Sequence, residues 1–85
     1  MFTIELTDPN TNEEFTTTPY KEDYIEYLWE KEMGAPFNKL NYHLYKGGRN
    51  LYNQLESDWL NNEVDELNLI NDEGFKRFML GRTFE

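Results

Sequence analysis

The charged residues of this chain are separated into blocks along the sequence. Residues 1–32 contain nine acidic and two basic side chains, and residues 56–73 contain seven acidic side chains and no basic one. Residues 33–55, in contrast, contain three basic side chains and no acidic one. Because carboxylates stay in water unless they are paired, each acidic block can fold only into elements that keep one face in solvent. The other face of each element must then supply the core.

The composition is sufficient for one small core. The 85 residues carry a net charge of −9, and they include two Trp, six Tyr and six Phe but no Cys. Aromatic side chains bury large areas, and such a content argues against disorder. We therefore expect a single acidic domain over residues 1–85. The chain has no long apolar run and no basic region followed by an apolar one near its first residue, so we expect a cytoplasmic location.

The N-terminal residues have the pattern of a β-hairpin. Phe2, Ile4 and Leu6 alternate with polar residues, which is the period of a half-buried strand. Residues 8–12 are rich in turn formers, and a weaker alternation around Phe15 follows. This pattern predicts a hairpin over residues 2–18.

A helix is predicted next, and its two ends are marked in the sequence. Thr18 followed by Pro19 is typical of a helix start, with a hydroxyl cap and Pro at the first helical position. The helix should continue to about Met33, because Gly34 is typical of a helix end. At 100° per residue one face is apolar and aromatic. That face consists of Tyr24, Ile25 and Leu28.

The second half of the chain is predicted less sharply. Residues 36–46 fit either a short helix, which we favour, or a strand, and the Gly47–Gly48 pair fits a hairpin turn or a break between helices. A helix is predicted from Asn50 to residues 61–62, whereas residues 63–70 fit a helical extension or a short strand. A last helix should be capped by Asn71 and end at Gly81.

The predicted fold class is α+β, with an N-terminal β-hairpin packed against three to four short α-helices. The predicted core takes the apolar and aromatic residues that share a face within each element. It consists of Phe2, Ile4, Leu6, Phe15, Tyr24, Ile25, Leu28, Leu51, Leu55, Trp59, Phe75 and Phe78.

Carboxylates on the first predicted helix form the principal candidate binding site. They lie within roughly 100° of one another, opposite the apolar face, and are Glu22, Asp23, Glu26 and Glu30. Tyr27 and Trp29 flank this stripe. Carboxylates at i and i+4 are separated by about 6 Å along a helix, which is close to the spacing of phosphates in a nucleic-acid strand. The second acidic block offers a continuation of this surface, through Glu63, Asp65 and Glu66.

Other patterns do not predict a catalytic or metal site. Asp8, Asn10 and Asn12 have the spacing of the first ligands in a calcium loop, but Glu13 stands where Gly is needed and Pro19 where the bidentate Glu belongs. A turn is therefore the better interpretation. His43 is the single histidine and has neither a metal-ligand spacing nor a nucleophile to partner. We expect no enzyme activity, no metal and no cofactor.

The basic middle segment resembles a small nucleic-acid patch. Lys39, Lys46 and Arg49 are interleaved there with Tyr42 and Tyr45. Three cations in a chain of net charge −9 would bind nucleic acid weakly, and an anionic membrane is also disfavoured. We therefore expect these cations to pair with the acidic helices, and we expect neither nucleic-acid nor membrane binding.

Two functional hypotheses follow. The leading one is a non-enzymatic interaction protein that presents carboxylates to a basic protein surface. Its sharpest form is a nucleic-acid mimic that occludes the cleft of a nuclease or other nucleic-acid-binding enzyme, as anti-restriction and anti-CRISPR proteins of phages and mobile elements do. The alternative is an acidic accessory or regulatory subunit whose charge serves only solubility. It would bind its partner through exposed aromatic residues, namely Tyr27, Trp29, Tyr42 and Tyr45.

Overall fold

The computed structural model describes residues 2–84 and confirms the α+β class. Its elements are, in chain order, β1 (Ile4–Thr7), β2 (Glu14–Thr17), α1 (Lys21–Met33), a 3-10 helix (Tyr42–Leu44), α2 (Gly48–Leu60), α3 (Glu66–Ile70) and α4 (Glu73–Thr83). Contacts divide the described chain into two units, one of residues 2–19 and 65–84 and one of residues 20–64. A single domain over the whole chain stays a prediction.

The first unit is built on the predicted hairpin. β1 and β2 pair in antiparallel fashion, with Ile4 opposite Thr17 and Leu6 opposite Phe15. The alternation that predicts the strand also sets its faces, since Ile4 and Leu6 are buried while the residues between them are exposed. In the connecting loop the side chain of Asp8 accepts a hydrogen bond from the backbone N–H of Asn10, at 2.8 Å. This is the turn that the sequence predicts.

α3 and α4 complete the first unit, and α4 packs against β1. Residues 66–70 of the ambiguous 63–70 stretch are helical, because the side chain of Asp65 caps α3 by accepting from the N–H of Asn68. The cap of α4 is Asp72 rather than the predicted Asn71; its carboxylate accepts from the N–H groups of Gly74 and Phe75. The predicted end at Gly81 is wrong. α4 continues through this glycine to Thr83.

The second unit pairs α1 with α2. α1 begins at Lys21, two residues after the predicted Pro19, because Tyr20 is extended and serves as the N-cap. The predicted end is confirmed: Gly34 has φ +67° and donates its N–H to the carbonyl of Glu30, at 2.8 Å. The favoured helix over residues 36–46 is reduced to the single 3-10 turn. Gly47, with φ +77°, lies at a break between helices rather than in a hairpin turn.

The buried residues agree with the predicted core in part. Seven of the twelve are buried: Phe2, Ile4, Leu6, Tyr24, Ile25, Leu55 and Phe75. Five are half-buried: Phe15, Leu28, Leu51, Trp59 and Phe78. Three buried core residues are absent from the predicted list: Trp29, Leu69 and Met79. The largest of the buried side chains is Trp29, so its omission is the principal error in the predicted core.

Candidate functional site on helix α1

The four predicted carboxylates of α1 do not form one continuous exposed surface. Asp23 is 8% exposed, and one of its oxygens accepts a hydrogen bond from the backbone N–H of Tyr20, at 2.8 Å. The N-terminal N–H groups of a helix lack intrahelical partners, and a carboxylate in the first turn also favours the helix dipole. Asp23 therefore stabilises the start of α1. Its role in partner binding stays a prediction.

Glu30 is also engaged by the fold. Its carboxylate accepts a hydrogen bond from the backbone N–H of Phe37, at 2.9 Å, and the side chain is half-buried. This bond fixes the residues that follow Gly34 to the C-terminal half of α1. Glu30 therefore orders the loop between α1 and α2 and is not a freely exposed part of the predicted stripe.

Trp29 lies inside the second unit and not beside the acidic stripe. Its side chain is 0% exposed, and its indole N–H donates to the carbonyl of Gly48, at 3.0 Å. The rings of Phe37 and Tyr45 contact it edge-to-face, with centroids 5.4 and 5.3 Å away. The predicted position of Trp29 at the edge of the stripe is therefore wrong, whereas its role in partner binding stays a prediction. Tyr27, its neighbour in that prediction, is half-buried, and the Lys31 ammonium lies 5.8 Å from its ring centroid.

The two remaining carboxylates, Glu22 and Glu26, line one groove. Glu22 is exposed and Glu26 is half-buried. The groove has a volume of about 180 Å³, and its other lining residues are Lys21, Ile25, Phe37, Lys39 and Tyr52. It thus joins carboxylates, two lysines and aromatic rings. Lys39 of the basic segment lines the same groove as Glu22 and Glu26, and the predicted pairing of this segment with the acidic helices stays a prediction.

Two of the groove residues, Phe37 and Tyr52, belong to a stack of aromatic rings. The ring of Tyr52 is nearly parallel to that of Phe37, with centroids 6.0 Å apart, and is stacked on that of Tyr42 at 4.5 Å. These residues come from α2, the loop and the 3-10 helix, so their proximity is a tertiary feature. No sequence period brings them together, although aromatic residues in a loop are a signal that the loop is packed.

An ion pair joins the first residue of α1 to α2. The Lys21 ammonium lies 3.1 Å from the carboxylate of Glu56 on α2. The hydrogen bond and the charge of Glu56 raise the pKa of Lys21 above its ordinary value. Burial, followed by the charge of Glu56, raises the pKa of Tyr52. Lys21 is thus already engaged, and its charge at the groove is offset.

The second predicted acidic group is divided between the two units. Glu63 is an exposed residue of the second unit. Asp65 and Glu66 belong to the first unit, where Asp65 caps α3 and Glu66 lies in its first turn. These two have a local role at a helix start. A continuation of the α1 carboxylates through this group stays a prediction.

Comparisons with protein families, with curated proteins and with solved structures found no match for this chain. Among residues 2–84, no helix is long and apolar enough to cross a membrane. Within that same described range, no group of three or more His, Asp and Glu side chains has an arrangement that could hold a metal ion. The groove on α1 is the candidate site because carboxylates, lysines and aromatic rings line it together.

Proposed function

We propose that this chain is a non-enzymatic binding protein that engages a basic protein surface through the groove on α1. The observation that carries the proposal is that Glu22 and Glu26 line the same groove as the rings of Phe37 and Tyr52. A Lys or Arg side chain of a partner would meet carboxylates there for its charge and an aromatic face for its stem or guanidinium. Such residues anchor many interfaces.

A nucleic-acid mimic is the sharpest form of this proposal. Glu22 and Glu26 are one helical turn apart, which gives a rise of about 6 Å along α1. Lys and Arg side chains that neutralise phosphates line the clefts of nucleases, and carboxylates at this spacing could take the place of those phosphates. The other two predicted carboxylates, Asp23 and Glu30, form hydrogen bonds within the fold. Mimicry would therefore depend on Glu22 and Glu26 together with acidic residues elsewhere in the chain. A cytoplasmic location, where such enzymes are met, belongs to the same proposal.

The alternative, a subunit that binds through exposed aromatics, is favoured by no specific observation. Of its four residues Trp29 is buried, and Tyr42 is half-buried and stacked on Tyr52. Tyr45 is 42% exposed and contacts Trp29. Trp29, Tyr42 and Tyr45 thus each contact a neighbouring aromatic ring, and Tyr27 is half-buried.

A charge-reversal experiment tests the proposed function. The test variant carries Glu22→Lys and Glu26→Lys, and the matched control carries Glu13→Lys and Glu32→Lys, which change net charge equally at exposed positions. Binding to a panel of purified basic nucleases is measured at physiological ionic strength, with circular dichroism to verify folding. We expect only the test variant to lose affinity, by at least about tenfold, or 1.4 kcal/mol. Equal losses in both variants would mean that overall charge, and not the groove, attracts the partner.

Removal of a positive charge from the groove is a further test of the same proposal. Lys39 also lines the groove, and its charge opposes that of a basic partner side chain. Lys39→Ala should therefore tighten binding by a few fold, whereas Lys46→Ala, at an exposed residue that does not line the groove, should change it less. If no nuclease in the panel binds the wild-type chain, the mimic hypothesis is rejected.

A further inference from the structure

The segment between α1 and α2 exposes two leucines. Leu40 and Leu44 are 78% and 73% exposed, more than any other large apolar side chain of the described residues. They are four residues apart in a run of successive turns, in which the N–H of Tyr42 donates to the carbonyl of Asn38, at 2.9 Å. Exposed apolar residues that are grouped, unlike single ones, mark interaction sites.

Two cations follow these leucines. Lys46 and Arg49 are exposed, and among residues 2–84 no carboxylate forms a direct ion pair with either of them. α2 begins between them with no acidic residue in its first turn, so the positive end of its dipole adds to their potential. Together, the two leucines and the two cations form an apolar and positively charged surface in a chain of net charge −9. It is referred to below as the 40–49 surface.

The 40–49 surface is ordered by contacts within the second unit. The ring of Tyr45 packs edge-to-face on the buried ring of Trp29, with centroids 5.3 Å apart. The carbonyl of Tyr45 also accepts a hydrogen bond from the N–H of Gly48, at 2.8 Å. These contacts fix the turn that carries Leu44 and Lys46 to the start of α2. A surface that is already ordered loses little conformational entropy when it binds.

We propose that the 40–49 surface binds an acidic amphipathic helix of a partner protein. The carboxylates of such a helix would meet Lys46 and Arg49, and its apolar face would cover Leu40 and Leu44. Charge complementarity selects an acidic occupant, and a helix that lays its apolar face on an apolar surface is a recurring mode of recognition.

Other anionic partners fit this surface less well. A net charge of −9 opposes binding to an anionic membrane or to nucleic acid, and leucines offer no ring on which bases could stack. None of the four residues of the 40–49 surface lines the groove on α1. The inference is therefore independent of the proposed function.

A synthetic peptide of this chemistry tests the proposal. The probe is a fluorescein-labelled amphipathic helix with Leu along one face and Glu beside it, and its fluorescence anisotropy is measured against the full chain at physiological ionic strength. A surface of this size belongs with weak, transient interfaces, so we expect a Kd on the order of 100 µM. Two comparison peptides carry Gln for every Glu or Ser for every Leu. Both should bind at least about tenfold more weakly.

Matched variants locate the binding site. Arg49→Glu should weaken binding of the probe by about tenfold or more, and Leu44→Ser by about threefold or more. The controls are Arg77→Glu, at an exposed residue of α4, and Leu67→Ser, at a 71% exposed residue of α3. Both should stay within about twofold of wild type. The helix dipole favours Glu in the first turn of α2, so Arg49→Glu should keep the fold, which circular dichroism verifies.

Several outcomes would overturn the proposal. It is rejected if the wild-type chain does not bind the probe, or if the peptide with Ser for Leu binds as tightly. An equal loss in Arg49→Glu and Arg77→Glu would also reject it, because overall charge would then explain the binding. Phosphatidylserine vesicles and a labelled single-stranded oligonucleotide are measured in parallel. Tighter binding of either than of the peptide would replace the protein partner by that ligand.

Discussion

The indole N–H of Trp29 donates a hydrogen bond to the carbonyl of Gly48, 3.0 Å away. Trp29 lies in the second half of α1, and Gly48 is the first residue of α2. The bond therefore holds the two helices of the second unit together where α2 begins. It also satisfies the one polar atom of a fully buried indole, as burial requires.

Replacement of Trp29 by Phe should destabilise the protein without unfolding it. The variant keeps an aromatic ring but loses the hydrogen bond, leaves the Gly48 carbonyl without its donor and opens space beside Phe37. We expect the free energy of unfolding to fall by about 1–3 kcal/mol. Urea unfolding followed by circular dichroism measures it, with Tyr20→Phe, at a 65% exposed side chain, as a control near zero. If Trp29→Phe unfolds at the same urea concentration as the wild type, the buried and hydrogen-bonded position of Trp29 is contradicted.

The same substitution at two glycines should have opposite effects. A Cβ at Gly48 would overlap the carbonyl oxygen of Tyr42 and crowd Trp29, whereas a Cβ at Gly81 meets nothing within 4 Å. Gly48→Ala should therefore cost about 1–3 kcal/mol or more. Gly81→Ala, inside α4, should stabilise by about 0.5–1 kcal/mol because alanine is the better helix former. Thermal melting of both variants provides the comparison, and equal shifts would be inconsistent with the packing at Gly48.

The local elements of this fold could be predicted because their signals are local. The alternation of Ile4 and Leu6 predicts β1, and Gly34 predicts the end of α1, since each depends on near neighbours only. The sequence does not predict the structure of residues 36–46, where a single 3-10 turn stands in place of the favoured helix. Rings from Phe37 and Tyr42 stack with Tyr52, and this tertiary packing holds the segment in turns that no periodicity encodes.

Asp23 should contribute to stability, whereas its neighbour Glu22 should not. Asp23→Ala removes the acceptor for the backbone N–H of Tyr20 and the charge in the first turn of α1. We expect a loss of about 1 kcal/mol in the free energy of unfolding. Glu22→Ala changes an exposed side chain and should stay within about 0.5 kcal/mol of wild type. Chemical denaturation measures the free energy of unfolding of the two variants. Equal losses would show that Asp23 does not stabilise the start of α1.

The candidate site was predicted in outline only. Helical spacing correctly groups Glu22 with Glu26, because both positions depend on the period of one helix. The same helical wheel also places Asp23, Trp29 and Glu30 near this pair. Each of these three side chains, however, forms a hydrogen bond with a residue outside α1, which a helical wheel does not show. Asp23 binds the turn before the helix, Glu30 the loop after it and Trp29 the next helix. A helical wheel gives the direction in which each side chain leaves the helix axis, whereas the burial of that side chain depends on which other elements pack against it.

The protein should lose stability at alkaline pH, and Tyr24 should be one cause. Burial, followed by the charge of Asp58, raises the pKa of Tyr24 above its ordinary value of 10.0. Below pH 10 the phenol is neutral in the folded and unfolded chains, so stability does not depend on it. Above that pH the unfolded chain loses the proton first, and the free energy of unfolding falls as pH rises. The raised pKa of Tyr52 acts in the same direction.

Lys21 adds to this alkaline loss. Its pKa is raised by Glu56, so the fold favours the ammonium form. That contribution is complete below the ordinary pKa of 10.5 and disappears as pH rises through the higher pKa of the folded chain. Urea unfolding at about pH 8, 9, 10 and 11 should therefore give a constant free energy up to pH 10 and then a decline, of at most about 1.4 kcal/mol per pH unit from Tyr24. Tyr24→Phe should make the decline shallower, and Tyr20→Phe should leave it unchanged. A decline that both variants share equally would show that Tyr24 is not a source of the alkaline instability.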